Sequence, residues 1–276
     1  MSTVTDTMTL TSPDGTDVKA LAEGSGPTIL IVHGGLDDGS SWEKVAARLT
    51  PRFRVVRVVR RQYRVDLPPL SPYSMDAEVD TVLTVAGSIP GPMVIVGHSS
   101  GGVVALETIA AAPARLTDGP EKFAGAVLYE PPVVTGPPDP GDDRLKRAQA
   151  MMDAGKPGRA MQIFISEIVG MPAPAAVAMR TAVAANSRLR ALAPRQLTDM
   201  DGLSVRLDAY ASIGIPVLLL GGDQSPAHLG EKLDVLAATL PNTDKVIMAG
   251  RDHGANQRAP EDLAARIAVF ADQILR

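Results

Sequence analysis

The stretch Met93-Val94-Ile95-Val96-Gly97-His98-Ser99-Ser100-Gly101-Gly102-Val103-Val104-Ala105-Leu106 decides the fold. Its first four residues form a continuous apolar, β-branched run and read as a buried strand. The spacing after Gly101 predicts a helix to about Ala111. Between them, Gly97-His98-Ser99-Ser100-Gly101 fits Gly-x-Ser-x-Gly. A serine on a sharp strand-to-helix turn has its hydroxyl lifted clear of the sheet edge. The flanking glycines leave room for a side chain on strained backbone. The first helical N–H groups point to where negative charge would develop in an attack on a carbonyl. Ser99 is therefore the candidate nucleophile. The structural alternative is a Gly-rich turn that only packs helix on strand.

The same rhythm extends in both directions. Ser12-Pro13-Asp14-Gly15 is a turn between two short alternating runs, which predicts an opening hairpin. Strands are predicted over 28–32, 53–59, 93–96, 123–129, 216–220 and 245–249. Helices are predicted from Ser40 or Ser41 to Leu49, then over 75–88, 101–111, 227–240 and 259–275. Strands that alternate with helices and read as unbroken apolar runs imply a parallel sheet covered on both faces.

The rhythm breaks between Pro131 and Ala211. The first ten residues of this segment hold five prolines and read as a stiff linker. Helical spacing then takes over, ending at Gly155, then spanning 161–169 and 175–192. The expected organisation is a core of 1–130 and 212–276 with a helical lid over 131–211. Met151, Met152, Met161, Met171, Met179 and Met200 fall in the lid. Methionine fills irregular apolar space, so these side chains either pack the lid or form a pliable wall around an apolar substrate.

Composition removes several function classes. There are no cysteines among the 276 residues, so disulfides, thiolate nucleophiles and cysteine-ligated metals are excluded. A net charge of −4 and 3% aromatics offer neither a basic footprint nor stacking rings for nucleic acid. The four histidines form no His-x-x-x-His helix face, so no metal is expected. No long uncharged apolar run predicts a membrane span, and no targeting signal stands out near Met1, so the expected location is cytoplasmic.

Two further motifs carry chemistry. His33-Gly34-Gly35 follows the strand over 28–32, and a glycine pair there lets backbone N–H groups approach a ligand. The N–H groups of Gly35 and Ser100 would form an oxyanion hole. His33 itself reads as structural. His253, in Gly250-Arg251-Asp252-His253-Gly254, follows the last strand and fits the order serine, acid, histidine. As a neutral imidazole it would accept the Ser99 proton. His98 reads as packing and His228 as surface. Arg57, Arg60, Arg61 and Arg64 read as a solvated face, with a carboxylate or phosphate contact at the rim as the alternative.

With these motifs in hand, the chain resembles the α/β-hydrolase superfamily over nearly its whole length. The resemblance implies an α/β fold with a mostly parallel eight-stranded sheet, helices on both faces, a helical lid and a catalytic triad at the strands' carboxyl ends. It also implies a family acid after the seventh strand, in a pattern like Gly-x-x-Asp-Pro. Here that stretch reads Gly222-Asp223-Gln224-Ser225-Pro226, which puts Ser225 at the acid position and Asp223 two residues early. A subset of the superfamily, including some haloalkane dehalogenases, carries its acid after the sixth strand, where this chain has Glu130. A carboxylate ending an apolar strand needs a buried partner, and a histidine is one. Glu130 is thus the first candidate acid and Asp223 the second.

The expected function is a cofactor-free serine hydrolase of an ester, thioester or lactone, with a small apolar molecule as substrate. The alternative is a non-hydrolytic member that binds, cyclises or isomerises a small molecule.

Overall fold

The computed structural model describes residues 5–133, 142–203 and 206–275. The middle of the proline-rich linker, 134–141, lies outside them. In chain order the elements begin with β1 (Asp6–Thr11), β2 (Asp17–Glu23), β3 (Thr28–Val32), α1 (Glu43–Leu49), β4 (Arg54–Val59) and α2 (Met75–Gly87). They continue with β5 (Met93–His98), α3 (Ser100–Arg115), α4 (Gly119–Lys122) and β6 (Phe123–Tyr129). An inserted helical segment follows: α5 (Arg144–Asp153), α6 (Pro157–Ile163), α7 (Ala173–Ala185), α8 (Ser187–Gly202) and α9 (Leu207–Tyr210). The chain closes with β7 (Val217–Gly222), α10 (Ala227–Thr239), β8 (Thr243–Met248), α11 (Ala255–Arg258) and α12 (Pro260–Ile274).

The eight strands form one sheet in the order β1-β2-β4-β3-β5-β6-β7-β8. Only β1–β2 and β2–β4 pair antiparallel; every other pair is parallel. All five residues of β3 are buried, as a strand covered on both faces requires. One apolar layer sets Val82, Val85, Val104 and Leu233 against one face, and the other sets Val45, Leu49, Leu263 and Ile267 against the opposite face. The α/β-hydrolase architecture expected from the sequence is therefore present.

The helix start at 40–41 differs from expectation. Ser40–Trp42 is a 3₁₀ turn leading into α1, neither serine caps a helix, and two earlier acids hold the turn. Asp37 accepts from the Ser41 N–H at 3.1 Å and the Ser41 hydroxyl at 2.6 Å, while Asp38 accepts from the Ser40 N–H at 3.2 Å. The helix expected over 175–192 is two helices. Asn186 leaves helical geometry, and its side chain caps α8 by accepting from the N–H groups of Arg188 and Leu189 at 2.9 and 3.2 Å. Phe164–Ile168 forms a π turn after α6. Met151, Met152, Met161, Met179 and Met200 pack one apolar cluster inside the insertion, together with Phe164, Val183 and Leu197. Leu36 of the sheet domain joins that cluster. No helix among the described residues is long and apolar enough to cross a membrane.

Candidate active site

Among the described residues, only Leu36, Ser99 and Glu130 combine a side chain with positive φ, at 54°, 51° and 46°. Each lies just beyond the carboxyl end of β3, β5 or β6, three strands that are neighbours in the sheet. Backbone strain is thus concentrated at one edge, as it is at sites where geometry is over-determined.

Ser99 has φ 51° and ψ −132°. Its N–H donates to the Tyr129 carbonyl at 2.9 Å, and its carbonyl accepts from the Gly102 N–H at 2.7 Å. The turn fits because α3 starts hard against β3: a Cβ at Gly101 would lie 2.1 Å from the His33 carbonyl oxygen. The Gly34–Gly35 loop meets the turn, since a Cβ at Gly34 would lie 3.1 Å from the Ser99 Cβ. Ser100 opens α3, so its N–H is among the helical donors without an intrahelical acceptor. The Ser99 hydroxyl makes no hydrogen bond among the described residues.

Glu130 is 1% exposed and directly follows β6. Its Oε1 accepts from the Gly222 N–H at 2.8 Å, and its Oε2 lies 2.6 Å from His253 Nδ1. A carboxylate only accepts, so His253 donates its Nδ1 proton to Glu130. The His253 carbonyl accepts from His98 Nε2 at 3.0 Å. The His98 ring stacks on Tyr129 with centroids 5.1 Å apart and lies 4.9 Å from the His253 ring. Burial, reinforced by the proximity of His253, holds the His98 pKa well below the usual imidazole range. His98 is therefore a neutral donor that braces the His253 loop.

The second candidate acid faces elsewhere. Asp223 is exposed, and its Oδ1 accepts from the Gly250 N–H at 2.7 Å, three residues ahead of His253. Ser225 Oγ is buried and has no hydrogen-bond partner among the described residues. His33 is fully buried: Nδ1 donates to the Gly34 carbonyl at 2.7 Å and Nε2 accepts from the Arg60 N–H at 3.2 Å. His228 is half-buried, beside the turn at Gly170, rather than at the surface.

The arginine run is corrected. Arg57, Arg60 and Arg64 are buried. Arg57 pairs with Glu23, and Arg64 Nε lies 2.6 Å from Asp66. Arg60 sits at the centre of a buried polar cluster. Its Nη2 donates to Asp199 Oδ1 at 2.9 Å and Glu78 Oε1 at 3.1 Å, and its Nη1 donates to Ser100 Oγ at 2.8 Å. Tyr63 and Ser100 hydroxyls each lie 2.7 Å from Asp199 Oδ2. Burial pushes the Glu78 carboxyl above its usual range, with Asp199 adding and Arg60 opposing. Asp199 and Gln196 belong to α8, so the cluster spans insertion and sheet domain. The sequence reading placed Arg60 on a solvated face and missed Glu78, Gln196 and Asp199. One signal was available: Arg60, like Glu130, directly follows an apolar strand.

Known proteins place the chain in context. A crystal structure of an alpha/beta hydrolase from Sphaerobacter thermophilus superposes with a TM-score of 0.78 at 28% identity, covering 95% of this chain and 99% of that one. An esterase from Exiguobacterium antarcticum shares the fold, with a TM-score of 0.75 at 17% identity over 96% of this chain and 99% of that one. In sequence, the chain is 24% identical to the 2-(acetamidomethylene)succinate hydrolase of Mesorhizobium japonicum, over 91% of this chain and 90% of that protein. Residues 29–266 match the model of the alpha/beta hydrolase family, and the chain belongs to that family.

Proposed function

We propose that the protein is a serine hydrolase that cleaves a carboxylic ester, thioester or lactone through an acyl-enzyme. One observation carries this reading: Glu130, buried just after β6, holds His253 Nδ1 at 2.6 Å, and the His253 ring lies 4.9 Å from that of His98, the residue before Ser99. Full-length similarity to a protein named a hydrolase supports it.

Ser99 Oγ attacks the carbonyl carbon while His253 Nε2 takes its proton. The carbonyl π electrons become an oxyanion, which the Gly35 and Ser100 N–H groups stabilise. Collapse expels the alcohol, thiol or ring oxygen, which takes the proton back from His253. Water then loses a proton to His253 and attacks the acyl carbon, and collapse of the second oxyanion breaks the bond to Ser99 Oγ, which takes that proton back from His253 as the acid leaves. Every proton moves between Ser99, His253, water and substrate. Glu130 keeps the imidazole in the right tautomer and stabilises the imidazolium. General acid–base catalysis of this kind contributes roughly 10²–10⁴-fold, and each oxyanion donor about 2.7–4 kcal/mol.

The core of 1–130 and 212–276 carries these groups, and the segment 131–211 acts as a lid. Leu36, next to Gly35, packs into the apolar cluster of that segment. A fluorophosphonate probe tests the reading: it should label the protein at Ser99 and abolish hydrolysis of a p-nitrophenyl ester panel. Absence of both labelling and turnover would overturn it.

A further inference from the structure

Helix α8 reaches both residues that would form the oxyanion hole. Gln196 and Asp199 are three apart, so they share one helix face. Gln196, 3% exposed, lies flat on Gly35: a Cβ there would sit 1.6 Å from Gln196 Oε1. Asp199 accepts the Ser100 hydroxyl at 2.7 Å. The direction of that bond is fixed by chemistry. Arg60 Nη1, which can only donate, lies 2.8 Å from the same oxygen, so the Ser100 proton goes to Asp199. Arg195, one residue before Gln196, exchanges bonds with Gln62: Arg195 Nη1 donates to the Gln62 carbonyl at 2.9 Å, and Gln62 Nε2 donates to the Arg195 carbonyl at 3.0 Å. The face of α8 that carries these residues is therefore seated on the sheet domain at several points.

We propose that α8 completes the oxyanion hole, with Asp199 acting as a positioning residue on Ser100 through the Ser100 hydroxyl. The proposal rests on the reading of Gly35 and Ser100 as the oxyanion donors. The Ser100 N–H has no helical partner to fix its direction. Its aim depends on how the residue is anchored, and the anchor is a side chain held between a carboxylate and a guanidinium. Bonds to charged groups are the stronger class, and an oxyanion hole works only when its donors are preorganised. Gln196 completes the arrangement from the other side, because its amide keeps the Gly35 backbone from drifting toward the insertion.

The test compares Ser100→Ala, Asp199→Asn and the double variant, using p-nitrophenyl butyrate and hydrogen exchange of peptides spanning 97–106. Active sites are titrated with the fluorophosphonate, so that kcat is expressed per folded molecule. Each single variant should lower kcat on the order of tenfold with KM within about twofold. The double variant should be no slower than the worse single one, since both remove the same anchor. Exchange in the first turn of α3 should quicken in all three, on the order of tenfold. A purely structural role would lower Tm while kcat per titrated site stayed at the wild-type value, and that result overturns the proposal. So do losses that multiply in the double variant, or losses confined to KM. If Asp199→Asn does not fold, Ser100→Ala keeps every charge in place and decides alone: unchanged kcat and unchanged exchange overturn the proposal. If the wild type turns over no ester, the hydrolytic reading fails while exchange still decides the positioning: quickened exchange supports it and unchanged exchange overturns it.

Discussion

His253 Nδ1 and Glu130 Oε2 stand 2.6 Å apart although 123 positions separate them in the chain. The other Glu130 oxygen accepts from Gly222 at the end of β7. The carboxylate is therefore held by the strand beside it, and the imidazole is held by the carboxylate. His98 fixes the same loop from below through the His253 carbonyl.

Glu130→Gln should keep the shape of this pair and remove its charge. The imidazolium formed during attack would lose its partner, and the wrong tautomer would be favoured. We expect kcat to fall on the order of 10⁴-fold. Asp223→Asn should cost less than about tenfold, because Asp223 only ties the loop through Gly250. Steady-state kinetics on both variants checks the ranking, and the reverse order would move the acid to Asp223.

Ser99 should trade stability against activity. Ser99→Ala should lower kcat by roughly 10⁴-fold or more, since no acyl-enzyme can form. Ser99→Gly should be equally inactive yet more stable by about 1 kcal/mol, because glycine tolerates φ 51° without strain. Urea unfolding of the purified variants measures this, and a Gly variant less stable than wild type would contradict it.

Two glycines should respond differently to the same added methyl group. At Gly101 the new Cβ would lie 2.1 Å from the His33 carbonyl oxygen and 2.5 Å from that of Val32, both backbone atoms that cannot step aside. Gly101→Ala should destabilise by at least about 3 kcal/mol and abolish activity. Gly91 has φ 77° and open space around it, so Gly91→Ala should cost only about 1–2 kcal/mol of backbone strain. Equal unfolding midpoints for the two would refute the packing argument.

Glu78 gives a pH signature. Burial raises its carboxyl pKa above the ordinary 4.5 in the folded protein. The folded state therefore binds this proton more tightly than the unfolded state. Its contribution to stability is fully present below the unfolded value and is lost as pH rises through the folded value. Glu78→Gln removes that loss, so the variant should gain on wild type with rising pH, at up to about 1.4 kcal/mol per pH unit, before levelling off. Urea melts at intervals from pH 4 to 8 would show it. A stability difference independent of pH would mean that Glu78 titrates alike in both states.

What the chain announces by itself is what local geometry dictates. The turn around Ser99 is five residues between a strand and a helix, and His33-Gly34-Gly35 is three residues after a strand, so both are visible without the fold. The alternation of strands and helices follows from apolar runs and periodicity, which are also local. The choice between Glu130 and Asp223 is of another kind. Both follow apolar strands, and which one meets His253 depends on the adjacency of β6 and β7 and on the backbone turn at Glu130. Arg60 and Asp199 are harder still. They pair across 139 positions, and each alone looks like an ordinary solvated charge. An ion pair leaves no periodic trace, because its stability comes from desolvated partners brought together only when the helical insertion packs on the sheet. The division of one predicted helix at Asn186 is local by contrast, since its side chain caps α8 by accepting from the Arg188 and Leu189 N–H groups.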